Sequence, residues 1–148
     1  MSEAKKVFDQ VAQEQIIQAI KTAETHSSGE IRLHVADRCK GNVLDAAAST
    51  FEKLKMHKTA LRNGVLFFLS VVDHKFAILG DAGINQKVTK DFWEEIKDGC
   101  ISKFKAGDLV GGLSEGIVKA GKALAEHFPY ERDDIDELSN EISFEDED

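Results

Sequence analysis

The stretch "LRNGVLFFLSVVDHKFAILGDAGI", residues 61–84, holds two apolar runs around a short polar break. The first run, 64–72, is almost continuously apolar, as a strand covered on both faces must be. Asp73-His74 is short enough for a hairpin turn. Residues 75–79 then return as the antiparallel partner. Each run has a polar edge with glycine: Arg62-Asn63-Gly64 before the first and Gly80-Asp81-Ala82-Gly83 after the second. Pairing of the two runs brings these edges together at the open end of the hairpin.

Upstream, Ile31, Leu33 and Val35 alternate with Glu30, Arg32 and His34, which is the period of a strand with one more polar face. Between this strand and the hairpin, Gly41-Asn42 turns into a helix with Val43, Leu44, Ala47, Ala48, Phe51 and Leu54 on one side. Strand, helix and strand in succession call for a parallel pair with a right-handed crossover. Residues 8–25 carry Phe8, Val11, Ala12, Ile16, Ala19, Ile20 and Ala23 at helical spacing. Downstream, a helix is expected over 88–104 with Phe92, Trp93, Ile96, Cys100 and Phe104. Lys105-Ala106-Gly107-Asp108 breaks it, and Asp108 is placed to cap a last helix bearing Leu109, Leu113, Ile117, Ala120 and Leu124. Pro129, the only proline, follows its end. The order α-β-α-β-β-α-α predicts an α/β fold: a three-layer α/β/α sandwich with a small mixed sheet, built from a βαβ unit plus an antiparallel hairpin.

The chain has 148 residues, which suits one domain with a substantial core. Its formal charge of −8 is unevenly placed. Residues 131–148, "ERDDIDELSNEISFEDED", hold ten acids and one arginine, and the remainder is close to neutral at +1. The division expected is a domain over 1–130 and an acidic disordered tail over 131–148. A near-neutral body offers no broad basic field for nucleic acid. The N-terminus lacks the apolar core of a signal peptide, and no run is long enough to span a membrane. Two cysteines make no disulfide framework. A cytoplasmic monomer is the expectation.

The topology places the starts of the first two strands and the end of the third at one end of the sheet. Glu30, Arg62, Asn63 and Asp81 therefore share that end. Two carboxylates and an Asn carbonyl suit Ca²⁺ or Mg²⁺, which take several hard oxygen ligands. Arg62 suits an anion such as phosphate. The same residues also suit ordinary turns and caps joined by an Arg–carboxylate pair. Asp37, Asp73 and His74 lie at the opposite end, near Asp108, and form the rival location.

Asn63-Gly64-Val65-Leu66, Gly80-Asp81-Ala82-Gly83, and Lys105-Ala106-Gly107-Asp108 with Gly111-Gly112 occur in an order and spacing that resemble the TPM domain over roughly 26–128. That family takes its name from a thylakoid acid phosphatase, a photosystem II repair protein and an acetylcholine-receptor modulator. The resemblance implies an α/β/α sandwich, divalent-cation binding and action through protein partners. Its thylakoid branch has been assigned weak acid phosphatase activity. On this basis the metal ligands expected are Glu30, Asn63 and Asp81, with Arg62 shaping the loop. The function expected is a soluble divalent-cation-binding module acting through an unidentified protein partner. The alternative is a weak metal-dependent acid phosphatase. Typical members carry an export signal and often a C-terminal membrane helix, and neither pattern is found in this sequence.

Other signals weigh less. Residues 116–123, "GIVKAGKA", match the spacing of a phosphate-binding loop, but Ala123 replaces the Mg²⁺-binding hydroxyl and the stretch has helical period. The five histidines show no zinc spacing. His34 reads as structural, and Trp93 as a core or groove residue.

Overall fold

A computed structural model describes residues 3–129 and 140–144. The elements are α1 (Glu3–Val7), α2 (Gln10–Glu24), β1 (Glu30–Ala36), α3 (Val43–Lys53), a 3₁₀ turn at Met56–Lys58, β2 (Gly64–Ser70), β3 (Lys75–Gly80), α4 (Ala82–Asn85), α5 (Phe92–Lys105), α6 (Leu109–His127) and β4 (Ser143–Phe144). The sheet is mixed, in the order β3-β2-β1-β4. β1 and β2 run parallel with Glu30 opposite Gly64, and β2 and β3 run antiparallel with Val65 opposite Gly80.

Alternation along the strands divides the core into two unequal faces. Ile31, Leu33, Val35, Val65, Phe67, Leu69, Phe76 and Ile78 join the large cluster that α1, α2, α5 and α6 cover. On the other face Ala36, Phe68 and Ala77 meet Ala47 of α3, and Leu66 meets Phe51 and Met56. The sandwich is therefore three-layered, as the element order requires.

Caps fix the helix starts. Asp9, Asn42 and Asp108 each accept a hydrogen bond from a first-turn amide of α2, α3 and α6. α6 lies against α2 with Gly121 facing Ala23; a Cβ on residue 121 would stand 2.5 Å from the Ala23 Cβ and 2.8 Å from its backbone. Beyond this seam, the Ser28 amide donates to the Phe128 carbonyl at 2.9 Å.

Four local expectations change. Val11 and Leu44, placed on apolar helix stripes, are 69% and 53% exposed, because each lies at the margin of the stripe rather than over the sheet. The helix expected over 88–104 begins only at Phe92, since the separate short α4 follows the capping Asp81. The hairpin loop comprises residues 71–74 rather than Asp73-His74 alone: Ser70 pairs with Lys75, and His74 takes a left-handed conformation at φ 57°.

The fourth change concerns the tail. Most of 131–148 lies outside the described residues. Within 140–144, however, the chain has a fixed place: Ser143 and Phe144 pair in parallel with His34 and Val35. The physical reason is apolar. Ile142 and Phe144 pack against the large core cluster, and the edge of β1 supplies backbone partners.

Candidate functional site

The glycine end of the sheet is assembled by backbone bonds before any side chain enters. The Glu30 amide donates to the Asn63 carbonyl at 3.4 Å, the Asp81 amide to the Gly64 carbonyl at 2.9 Å, and the Gly83 amide to the Arg62 carbonyl at 2.8 Å. Residues 61–63 are thus threaded between β1 and the start of α4. Arg62 takes a left-handed conformation at φ 53°, uncommon outside glycine. Gly83 is required by contact: a Cβ there would collide with the carbonyl oxygens of Leu61 and Arg62.

The charged side chains meet within this frame. Arg62 Nε donates to Asp81 Oδ2 at 2.7 Å and Nη2 donates to Oδ1 at 2.8 Å, a two-pronged pair. Oδ1 also accepts from the Ala82 amide at 2.7 Å, capping α4. The hydrogen bond to Asp81, and then its charge, raise the Arg62 pKa above the usual guanidinium value. The Asp81 side chain is 6% exposed and that of Arg62 50%. Glu30 and Asn63 are buried, at 3% and 1% exposure. Asn63 Nδ2 has no hydrogen-bond partner.

The structure thus brings Glu30, Asn63 and Asp81 to one end of the sheet and gives Arg62 to Asp81. Among the described residues, no group of three or more His, Cys, Asp or Glu is arranged to hold a metal ion. The Asp81 carboxylate at this end is taken up by the Arg62 guanidinium and the Ala82 amide.

Sequence reading missed the roof of this end. Trp93 Nε1 donates to Asn85 Oδ1 at 2.7 Å, and Asn85 Nδ2 donates to the Gly80 carbonyl at 2.8 Å. A Cβ on Gly80 would stand 2.7 Å from the Trp93 ring and 2.8 Å from Asn85 Oδ1. Gly80 is therefore bare because side chains lie on it. The available signal was a lone Trp eight residues after Asn85, itself five residues after Gly80.

The rival end has its acids spent singly. Asp37 Oδ1 accepts from the Ala4 amide at 2.8 Å. Asp73 Oδ2 accepts from the Cys39 amide, and its Oδ1 lies 4.0 Å from Arg38 Nη1. Asp108 Oδ1 accepts from the Gly111 amide at 2.9 Å. Each of these carboxylates satisfies a backbone amide of a turn or helix start.

The remaining candidates are structural. Residues 116–123 lie inside α6, where Gly116 faces Cys100 and Phe67. Cys39 and Cys100 are free and buried, and burial pushes the Cys100 thiol up to about 11, away from thiolate chemistry. His34 stacks on Phe68 at 5.5 Å, and burial, then the charges of Arg32 and Lys53, lower its pKa to about 4. An open cleft between α5 and α6 is lined by Phe92, Ile96 and Ala123, with Glu95 and Glu126 balancing Lys119 and Lys122. That balance favours neither anion nor cation.

No helix among the described residues is long and apolar enough to cross a membrane. The comparison with curated proteins finds no match. Among solved structures, the NMR structure of the BA42 protein from the psychrophilic bacterium Bizionia argentinensis is similar, with a TM-score of 0.89 and 43% identity over 98% of this chain and 100% of that one. The family model of the TPM domain matches residues 1–123. With most of its length matched, and with the α/β sandwich described above, the chain belongs to the TPM domain family.

Proposed function

We propose that the chain is a soluble TPM-domain binding module that takes a divalent cation, Ca²⁺ or Mg²⁺, at the glycine end of its sheet and acts through a protein partner. One observation carries the cation site. Asp81, a buried carboxylate, already holds a cationic group whose own side chain is half in water. The guanidinium has an open path outward, while the carboxylate does not. An ion taking its place would meet the Asp81 carboxylate, with Glu30 and Asn63 buried at the same end of the sheet as its further proposed ligands, and a half-turn of the Asn63 amide exchanges its unpartnered nitrogen for an oxygen. Hard oxygens of this kind suit calcium or magnesium, and a cation between two carboxylates relieves their repulsion. Arg62 then shapes the loop and competes with the ion.

The alternative, a metal-dependent phosphatase, needs a clamp for the phosphate anion. Arg62, the candidate clamp, is directed at Asp81. This favours binding over catalysis.

Calcium and magnesium titrations followed residue by residue by NMR test the site. Asp81→Asn is expected to lose affinity while Asp73→Asn retains it. Arg62→Gln, which removes the competing charge, is expected to bind several-fold tighter. Loss in Asp73→Asn alone would move the ion to the opposite end. An unchanged titration in both Asp81→Asn and Arg62→Gln would overturn the glycine-end site.

A further inference from the structure

The outer edge of β1 is closed by two unrelated devices. At its start, the Ile31 amide donates to the Glu24 carboxylate of α2 at 2.7 Å. Further along, His34 and Val35 pair with Ser143 and Phe144, which the sequence places beyond the last helix. The second closure is slight. β1 pairs with β2 through seven residues and with β4 through two. Its side-chain contacts are nevertheless specific. Ser143 Oγ lies 2.9 Å from His34 Nδ1, and Lys5 Nζ lies 5.4 Å from the centre of the Phe144 ring. Ile142 and Phe144 reach the large core cluster. Glu141 lies close enough to Arg32 for its charge to be felt there.

We propose that this edge of β1 is a docking site for an extended acidic peptide segment of a partner protein, carrying an aliphatic–hydroxyl–aromatic pattern, and that residues 141–144 are its occupant within the chain. The proposal rests on the reading of the protein as a partner-binding module and names the chemistry of that partner. Addition of a strand to an open sheet edge supplies main-chain hydrogen bonds, and pockets for alternate side chains supply selectivity. Here the aliphatic and aromatic positions enter the core cluster, the hydroxyl meets His34, Glu141 lies near Arg32, and Lys5 stands over the aromatic ring. The charge division fits this: the segment belongs to the strongly acidic 131–148, while the rest of the chain carries +1. A tethered occupant competes at a local concentration of about millimolar, so a partner making more than two pairs displaces it by mass action.

The test uses the full chain and a labelled peptide of residues 140–148, NEISFEDED. Phe144→Ala weakens the occupant and leaves β1 intact. That variant is expected to bind the peptide about tenfold tighter than the unaltered chain. The amides of His34 and Val35 should shift, and a peptide with alanine in place of its Phe should not bind. Equal binding by variant and unaltered chain, or shifts confined to other residues, would overturn the proposal. Should Phe144→Ala lose its folded spectrum, the unaltered chain with excess unlabelled peptide decides: the chain's own Ser143 and Phe144 amides should move as the peptide takes their place on β1, and no movement there sinks the site. A dimer of the unaltered chain held by Phe144 of one copy on β1 of another would also overturn it, in favour of strand exchange between copies. A cation titration on the same samples keeps the two ideas apart. Failure of the peptide with an intact ion response removes only the docking site, and the reverse result removes only the cation.

Discussion

At the glycine end of the sheet, Arg62 and Asp81 lie 19 residues apart and meet through two charged hydrogen bonds. At the outer edge of β1, His34 and Ser143 lie 109 residues apart and meet as strand partners and through one neutral side-chain contact. The first region is crowded by backbone: Gly83 lies against the carbonyls of Leu61 and Arg62, and Trp93 lies over Gly80. The second is a two-residue strand. Ordering a contact between distant residues costs more chain entropy than ordering one across a short loop, and fewer bonds offset it here. One end is therefore built to hold a geometry, and the other to be exchanged.

The largest expected effect breaks the crowded end. Gly83→Ala drives a Cβ into two carbonyl oxygens of a loop that has nowhere to retreat, and should destabilise by about 3 kcal/mol or more. Denaturant unfolding measures it, and a cost under about 1 kcal/mol would show the loop to be compliant.

The next effect sharpens the comparison at the β1 edge. His34 is buried neutral between Phe68 and Ser143, with Arg32 and Lys53 opposing its protonation, and its pKa is lowered to about 4. Between pH 6.5 and 4 the unfolded chain gains a proton that the folded chain refuses. Stability should fall across that window by roughly 2–3 kcal/mol from this group and level off below it. The difference between the unaltered chain and His34→Gln isolates the contribution; equal slopes for the two would refute it.

The smallest effect is Phe144→Ala. The ring is partly exposed, so the loss should be about 1 kcal/mol. Its signature is local. Amide exchange should quicken at the outer edge of β1 while the amides of Asp81 and Gly83 keep their protection. Equal acceleration at both ends would mean that the two regions are one cooperative unit.

The strands and their directions were legible because the apolar pattern of 64–79 has few alternative structures. A continuous run followed by a short polar break forces a hairpin, and the alternation at 31–35 supplies the parallel neighbour. Asp108 was readable as a cap because it stands between a glycine break and a new apolar period. β4 was hidden for the opposite reason. Ile142-Ser143-Phe144 is too short to show a period, and it stands among like charges in sequence, while in space Glu141 lies near Arg32 and Phe144 lies under Lys5. At the candidate site, topology alone brought Glu30, Asn63 and Asp81 to one end. Which partner Asp81 takes depends on the left-handed turn at Arg62, a conformation that no residue type there announces. Trp93 and Asn85 were missed because their contact with Gly80 crosses from one element to another.

The seam between α2 and α6 sets an order of events at synthesis. Ser28 and Phe128 are joined across 100 residues, and Ala23 receives Gly121 only when α6 has been made. At ordinary ribosomal speeds the two halves of that seam emerge on the order of ten seconds apart. During the interval β1, β2 and β3 are all present, and the side of the sheet bearing Ile31, Leu33, Val65 and Phe67 has no α6 above it. The nascent chain therefore exposes its most adhesive surface until α6, the last of the described helices, leaves the ribosome and closes it.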